Sequence, residues 1–146
     1  MHTPIVPGET KVPFMEWNEQ YRMHIESLDR QHQAIIALIN EVQEAIQSAA
    51  SPVVVDGILR KLSAYAEEHF AYEEQCMELC QFAALTKHQC QHREMKKAIV
   101  DFQTAIALGN PAIYMDLLNF LMKWLHSHIL RVDMEYAKDV RAVGIR

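Results

Sequence analysis

The sequence lacks the features that mark membrane spans, disulfide frameworks and secretion. No apolar run reaches the roughly 18 residues that a transmembrane helix needs, so no membrane span is expected. The three cysteines, Cys76, Cys80 and Cys90, are an odd number without a Cys-x-x-Cys pair, which predicts reduced thiols. The N-terminus has no basic start followed by an apolar stretch and does not read as a signal peptide, so a cytoplasmic location is expected.

Positive charge and strand patterns are also scarce. The 146 residues carry a formal net charge of −5, from 14 Lys and Arg against 19 Asp and Glu. Because a nucleic-acid surface needs a basic patch, no nucleic-acid partner is expected. Aromatic residues are 8 % of the chain, and no segment alternates with period two, so no sheet is predicted.

Abundant apolar and helix-forming residues instead predict an all-α protein. Apolar residues recur at spacings of three, four and seven, and Ser-Pro and Asn-Pro pairs mark two helix starts. The expected helices run from Glu26 to about Ser48, from Pro52 to about Cys80, from Thr86 to Leu108 before Gly109, and from Asn110-Pro111 to near Val140. Short links between long helices predict an up-down-up-down four-helix bundle.

The first 25 residues differ in composition from the rest. They hold three of the five prolines together with Gly8, which predicts an extended N-terminal arm, residues 1–25, packed on a bundle formed by residues 26–146. The aromatic side chains of Phe14, Trp17 and Tyr21 are expected to hold the arm against the bundle.

Histidine is the residue in excess, with eight histidines against four glycines, and it is the commonest metal ligand among side chains. Residues four apart share a helix face. His69 and Glu73 form one such pair, and His88 and His92 form another. In the predicted bundle, seven polar residues fall towards the same end and share one layer. They are His32, His69, Glu73, His88, His92, His128 and Asp133.

Five imidazoles and two carboxylates are too many ligands for one zinc ion, which takes four. The set suits two six-coordinate ions bridged by carboxylates, and nitrogen-rich mixed ligation points to iron. The predicted cofactor is therefore a pair of iron ions with an oxo or hydroxo bridge.

At this point the motifs resemble the hemerythrin family, over about residues 14–140. They are LDRQH with His32, EHFAYEE with His69 and Glu73, HQCQH with His88 and His92, and WLHSHILRVD with His128 and Asp133. The opening EWNEQY is similar to the bacterial branch.

The resemblance implies a role for each ligand. His88, His92 and His128 bind and saturate one iron. His32 and His69 bind the other, which keeps a position for O2, and Glu73 and Asp133 bridge the pair. The implied function is reversible O2 binding for storage, delivery or scavenging. Helical spacing suggests an apolar lining for the O2 position, formed by Leu28, Ile36, Trp124, Leu125 and Ile129.

Other polar residues receive plainer interpretations. His2, His24 and His126 are expected to be solvated or capping, and Glu68 and Glu74 to face solvent. Cys76 lies on the ligand face, where a small core residue is favoured over a thiol ligand.

His128 and Asp133 are five residues apart, so an ideal α-helix would point them about 140° apart. We therefore predict a π-bulge or similar break between Ile129 and Asp133; the alternative is that Asp133 reaches the site from a regular helix.

Two other functions compete with O2 carriage. A diiron oxidase or peroxidase is one, but carboxylate-rich bundles of that kind carry Glu-x-x-His motifs, which this sequence lacks. The other is a diiron sensor of O2, NO or redox state, which would need a separate partner. The sequence favours a binding protein over an enzyme.

Overall fold

The computed structural model describes residues 14–110 and 112–146, and within them it is built from helices. After a 3-10 turn, Glu19–Tyr21, come α1 (Glu26–Gln47), α2 (Pro52–Leu79) and α3 (Leu85–Ala107). The fourth rod has three consecutive parts: α4 (Ile113–Trp124), a π-helical segment (Leu125–Val132) and α5 (Asp133–Ala142).

The rods pack as an up-down-up-down bundle. Helix α1 contacts α2 and α4, and α3 contacts the same two helices, so neighbours in sequence are neighbours in space. This arrangement confirms the predicted all-α four-helix bundle, and no strand occurs in the described part of the chain. None of its helices combines the length and the apolar character that a bilayer crossing requires. The cytoplasmic location stays a prediction.

The helix ends follow the sequence signals closely. Helix α1 begins at Glu26 as predicted. Helix α2 begins at Pro52 with Ser51 in the N-cap position, although the Ser51 side chain makes no capping hydrogen bond. Gly109, with φ +82°, ends the third rod, and Asn110 Oδ1 accepts a hydrogen bond of 3.1 Å from the Ala112 amide at the next start.

Residues 14–25 are tied to the bundle by polar contacts as well as by aromatic packing. Tyr21 is buried and Trp17 packs against it at 5.4 Å between ring centroids. The expectation for Phe14 is wrong, because that side chain is 48 % exposed. Its neighbour Met15 makes the attachment instead, through backbone hydrogen bonds of 2.7 and 2.9 Å to the Asn40 amide.

The arm itself lies partly outside the described residues, which begin at residue 14, so the division at residue 25 stays a prediction. The described part is not extended throughout, since Asn18 Oδ1 caps the 3-10 turn by accepting from the Gln20 amide at 2.8 Å. Closer to α1, buried Asp29 accepts a hydrogen bond of 2.8 Å from the Met23 amide, while Arg141 donates to the Met23 carbonyl.

Buried apolar residues form two separate clusters. The larger one, here called the main core, fills the body of the bundle and centres on Ile35, Ile39, Leu59, Leu62, Leu117, Leu121, Leu125 and Ile129. The smaller one, the end cluster, consists of Met23, Ile25, Leu28, Cys76, Met77, Tyr136, Ala137 and Val140. On α1, α2 and the fourth rod, the polar residues singled out above lie where the two clusters meet.

Candidate metal centre

The structure brings all seven predicted ligands together in the layer between the main core and the end cluster. Each of the seven is buried. They come from every rod: α1 supplies one, α2 and α3 two each, and the fourth rod two. As set out from the sequence, they are His32, His69, Glu73, His88, His92, His128 and Asp133. The layer exists because each helix begins or ends at this end of the bundle, so the same height is reached from four directions.

Glu73 stands between two groups of histidines. Its Oε2 lies 2.7 Å from His69 Nε2. Its Oε1 faces the other way, against His88 Nε2 and at 3.5 Å from His92 Nε2. The two oxygens of one carboxylate are thus divided between histidines of α2 and histidines of α3.

Asp133 divides its oxygens in the same manner. Its Oδ2 lies 3.2 Å from His32 Nε2. Its Oδ1 lies 3.0 Å from both His88 Nε2 and His128 Nε2. Both carboxylates therefore offer one oxygen to the pair His32 and His69 and the other to the remaining three histidines.

Two sets of donor atoms result, and each is compact enough to surround one ion. In each set the atoms lie within 4.8 Å of one another. One set contains Glu73, His88, His92 and His128, and the other contains His32, His69, Glu73 and Asp133. Because Glu73 belongs to both sets and Asp133 also reaches two histidines of the first, the sets adjoin.

The hydrogen-bonding of these atoms fits a metal better than a polar network. Nε2 of His32, His92 and His128 and both oxygens of Asp133 are buried and have no hydrogen-bond partner within residues 14–110 and 112–146. Buried polar atoms are normally satisfied, and leaving several unpaired in one place is costly. A mixed imidazole and carboxylate set with its donor atoms turned inward is what a transition-metal ion requires.

The Nδ1 atoms of two histidines form hydrogen bonds with residues that were not predicted from the sequence. His69 Nδ1 donates to Gln31 Oε1 at 2.5 Å, and His92 Nδ1 donates to Glu74 Oε2 at 3.3 Å. Such bonds fix the ring so that Nε2 would face a bound metal. The expectation that Glu74 faces solvent is wrong, since its side chain is 24 % exposed. It sits on the flank of α2, where the partner helix α3 covers it.

Aromatic rings pack face to face against three of the imidazoles. Phe70 stacks on His92 at 3.9 Å between centroids with 5° between planes. Trp124 stacks on His128 at 4.0 Å and 13°. Tyr65 stacks on His69 at 5.1 Å and 14°. The four-residue spacing to the histidine is a sequence signal for Trp124 and Tyr65, whereas Phe70 meets a histidine of another helix and leaves no local signal.

Both carboxylates of the metal-free site stay ionised. Burial alone would raise the pKa of Glu73, but the charge and hydrogen bond of His69, together with hydrogen bonds from α3, hold it well below its usual range. Burial and the Glu73 charge would likewise raise the pKa of Asp133, yet His128 and His32 lower it to about 2. The site therefore keeps two negative charges at neutral pH.

The histidines respond unequally to the same surroundings. Burial lowers the pKa of His69 and outweighs the nearby carboxylates. Burial also acts to lower the pKa of His88, but the two close carboxylates of Asp133 and Glu73 dominate and raise it to about 9. The pKa of His32 is raised for the same reason, chiefly through Asp133. Metal binding must therefore displace protons from part of the set.

The five-residue interval between His128 and Asp133 is accommodated by the π-helical segment. The Asp133 amide donates to the His128 carbonyl, five residues earlier. This wide turn brings both side chains to the same layer, where Asp133 Oδ1 is 3.0 Å from His128 Nε2. The predicted π-bulge is confirmed, although the segment begins at Leu125, earlier than expected.

The remaining candidates divide as follows. Among the five predicted lining residues, Leu28, Ile36, Leu125 and Ile129 are buried, and Trp124 is partly buried. Leu28 belongs to the end cluster, whereas the other four belong to or pack against the main core. His24 and His126 are exposed, and Glu68 is exposed as predicted; His2 lies outside the described residues. Cys76 is buried in the end cluster and belongs to neither donor set.

Comparison with known proteins agrees with this geometry. Residues 23–140 match the family described as the hemerythrin HHE cation binding domain. A bacteriohemerythrin of Stenotrophomonas maltophilia is 30 % identical over 129 residues, covering 86 % of this chain and 81 % of that protein. A myohemerythrin of Riftia pachyptila is 27 % identical over 128 residues, covering 88 % and 94 %.

The fold comparison gives the same result. The crystal structure of a hemerythrin substitution variant is similar with a TM-score of 0.79 at 22 % identity, over 88 % of this chain and 98 % of that one. The family match spans both donor sets and all four rods. The chain therefore belongs to the hemerythrin family.

Proposed function

We propose that this chain binds O2 reversibly at a pair of iron ions, in the service of oxygen storage, delivery or scavenging. Membership of the hemerythrin family makes it a non-haem iron protein of the O2-binding type. In the proposed assignment His88, His92 and His128 hold one iron, and His32 and His69 hold the other. Glu73 and Asp133 hold both. Two ferrous ions at such a site would supply two electrons to O2 on binding and would recover them when O2 leaves.

The observation that carries this proposal is the division of the two carboxylates. Each places one oxygen among the three histidines and one beside His32 or His69. A single ion could not contact all of these donors, since they form two sets. One set has three histidines and the other has only two. The two-histidine half therefore keeps a position for an external ligand.

The surroundings suit a binding protein. The ligand layer lies between the main core and the end cluster. We propose that Ile36, Trp124, Leu125 and Ile129, on the main-core side, line the ligand position. Leu28, the fifth predicted lining residue, belongs to the end cluster on the other side of the layer. Side chains of this kind exclude water, and the indole N–H of Trp124 is the only hydrogen-bond donor that they carry. They therefore slow the loss of a bound ligand as an anion and the oxidation that follows.

The test combines metal analysis with optical cycling. Purified protein should contain two irons per chain, and its deoxygenated and oxygenated spectra should interconvert over repeated cycles of O2 removal and addition. His88→Ala should lose metal and thermal stability together, because metal binding is linked to folding. His126→Ala removes an exposed histidine of the fourth rod and should leave both properties unchanged.

Three results would refute the proposal in different ways. One zinc per chain after growth with ample iron would refute the ligand assignment. One-way oxidation with turnover of a reductant would favour a diiron peroxidase or oxidase. Stable iron that responds to O2 or NO only by changing affinity for another protein would favour a sensor.

A further inference from the structure

The two halves of the candidate centre differ in what covers them. In the three-histidine half, the stacked rings are the phenyl ring of Phe70 on His92 and the indole of Trp124 on His128. In the two-histidine half, the stacked ring is a phenol, that of Tyr65 on His69. A hydroxyl group is thus attached to the half that, in the proposed function, receives the external ligand.

The hydroxyl of Tyr65 is turned inward. The side chain as a whole is partly exposed, yet its hydroxyl oxygen has no contact with solvent. That oxygen also has no hydrogen-bond partner in the described part of the chain. A buried tyrosine hydroxyl usually finds a partner, so an unpaired one beside the ligand layer suggests a partner that enters the site.

The position on α2 places this hydroxyl on the core side of the metal layer. Tyr65 lies one turn before His69 and two turns before Glu73, so all three share a face. Side chains of a helix lean towards its N-terminus, which for α2 is away from the end cluster. Tyr65 packs against the main core, the same cluster that contains the proposed lining residues Ile36 and Ile129.

We propose that the Tyr65 hydroxyl donates a hydrogen bond to the small ligand, O2 or an anion such as azide, that binds at the two-histidine half. This inference rests on the proposed function. A phenol is protonated at neutral pH and is both donor and acceptor. Placed beside a largely apolar lining, it stabilises negative charge on the ligand. Tyr65 would then lengthen the bound lifetime without contacting the metal.

The other unpaired phenol near the site has a different setting. Tyr136 also has a buried hydroxyl without a partner among the described residues. Its ring meets His88 edge-on at 5.5 Å, in the three-histidine half, and it belongs to the end cluster. It lies on the opposite side of the metal layer from the proposed ligand position.

The test compares Tyr65→Phe with Tyr72→Phe in the iron-loaded protein. Tyr72 is a matched control because it lies on the same helix and its hydroxyl donates to Ser27 Oγ at 2.8 Å, outside the ligand layer. Azide affinity and the azide stretching frequency in H2O and D2O are measured, together with the O2 dissociation rate. Iron content and melting temperature of both variants are measured first.

Tyr65→Phe should retain two irons, bind azide at least about tenfold more weakly, release O2 faster by a similar factor, and lose the solvent-isotope shift of the azide band. Tyr72→Phe should match the wild-type protein in all four properties. Equal azide affinity and an intact isotope shift in Tyr65→Phe would overturn the inference while leaving O2 binding in place. Wild-type protein with two irons that binds neither azide nor O2 would instead overturn the proposed function. If Tyr65→Phe loses iron, Tyr65→Leu, which also lacks a donor, is compared, and wild-type azide affinity there would also overturn the inference.

Discussion

At the scale of single residues, the buried site is governed by which groups share protons. Two carboxylates stay ionised in the interior because five imidazoles surround them. His88 touches both Glu73 and Asp133, and this double contact raises its pKa to about 9. In the metal-free chain a proton on His88 thus takes part of the role that a metal ion would have.

This leads to a prediction for the pH dependence of the metal-free fold. The folded pKa of His88 is about 9, above the value of about 6.5 in an unfolded chain. Its stabilising contribution is therefore complete below about pH 6.5 and is lost as pH rises through about 9. Between pH 6.5 and pH 10, the metal-free protein should lose about 3 kcal/mol of unfolding free energy, measured by urea denaturation.

The iron-loaded protein is the control for this measurement. Its histidines are neutral at every pH at which the metal stays bound, so its stability should change much less over the same range. A metal-free chain whose unfolding free energy is constant from pH 6.5 to pH 10 would contradict the assigned contacts of His88.

At the scale of secondary-structure elements, the fourth rod is the unusual one. Regular α4 and α5 flank the π-helical segment, Leu125–Val132, and no link separates them. A wide turn holds one residue more than an α turn. The segment thus acts as a one-residue insertion that preserves the facing of α5, where Tyr136 and Val140 are buried.

The effect of deleting one exposed residue from the fourth rod should therefore depend on where the residue lies: iron binding should survive one deletion and be lost in another. Deleting Arg131, inside the π-helical segment, leaves His128 and Asp133 four apart on a regular helix, and the protein should retain most of its iron. Deleting exposed Asn119, inside α4, shortens a regular stretch and turns the preceding part of α4 by about 100° relative to the rest of the rod. That variant should lose iron and melt at lower temperature.

Iron analysis and circular dichroism of the two deletion variants decide the matter. If the Arg131 deletion is as damaging as the Asn119 deletion, the segment is not a simple insertion. In that case the wide turn is required for a reason other than the spacing of the two ligands.

The elements also show what sequence can and cannot predict here. Helix starts at Glu26 and Pro52 followed from local signals, and the break in the fourth rod followed from a spacing that ordinary α geometry cannot satisfy. The roles of Gln31 and Glu74 could not be predicted, because each depends on a histidine of a neighbouring helix and on the rotation of both helices. The prediction that Phe14 packs against the bundle was wrong for a related reason. Composition shows that a residue is apolar but not which surface lies opposite it.

At the scale of the whole molecule, the polar layer divides the apolar interior. The main core and the end cluster lie on opposite sides of seven buried polar side chains. Without a metal, that layer has unpaired atoms and mutually repelling carboxylates, so it joins the two clusters poorly. With metal bound, four rods are crosslinked at one height.

Metal removal should therefore loosen one end of the bundle more than the other. Hydrogen exchange of amides around Met77, Tyr136 and Val140 should become at least about tenfold faster in the metal-free chain, while amides around Leu59 and Leu121 change little. Exchange followed by NMR or mass spectrometry measures both regions in one experiment. Adding iron back should restore the slow rates, and a uniform acceleration along all rods would contradict the division into two clusters.

The divided interior has a consequence for how the protein acquires its metal. The ligands are buried in the folded chain, yet entry of iron does not require the whole bundle to unfold. If the end cluster opens as a local unit while the main core persists, the histidines of α2 and α3 become reachable from that end in a framework that already holds their spacing. Loading would then be limited by the frequency of this local opening, and closure around the metal would make the two clusters a single cooperative unit.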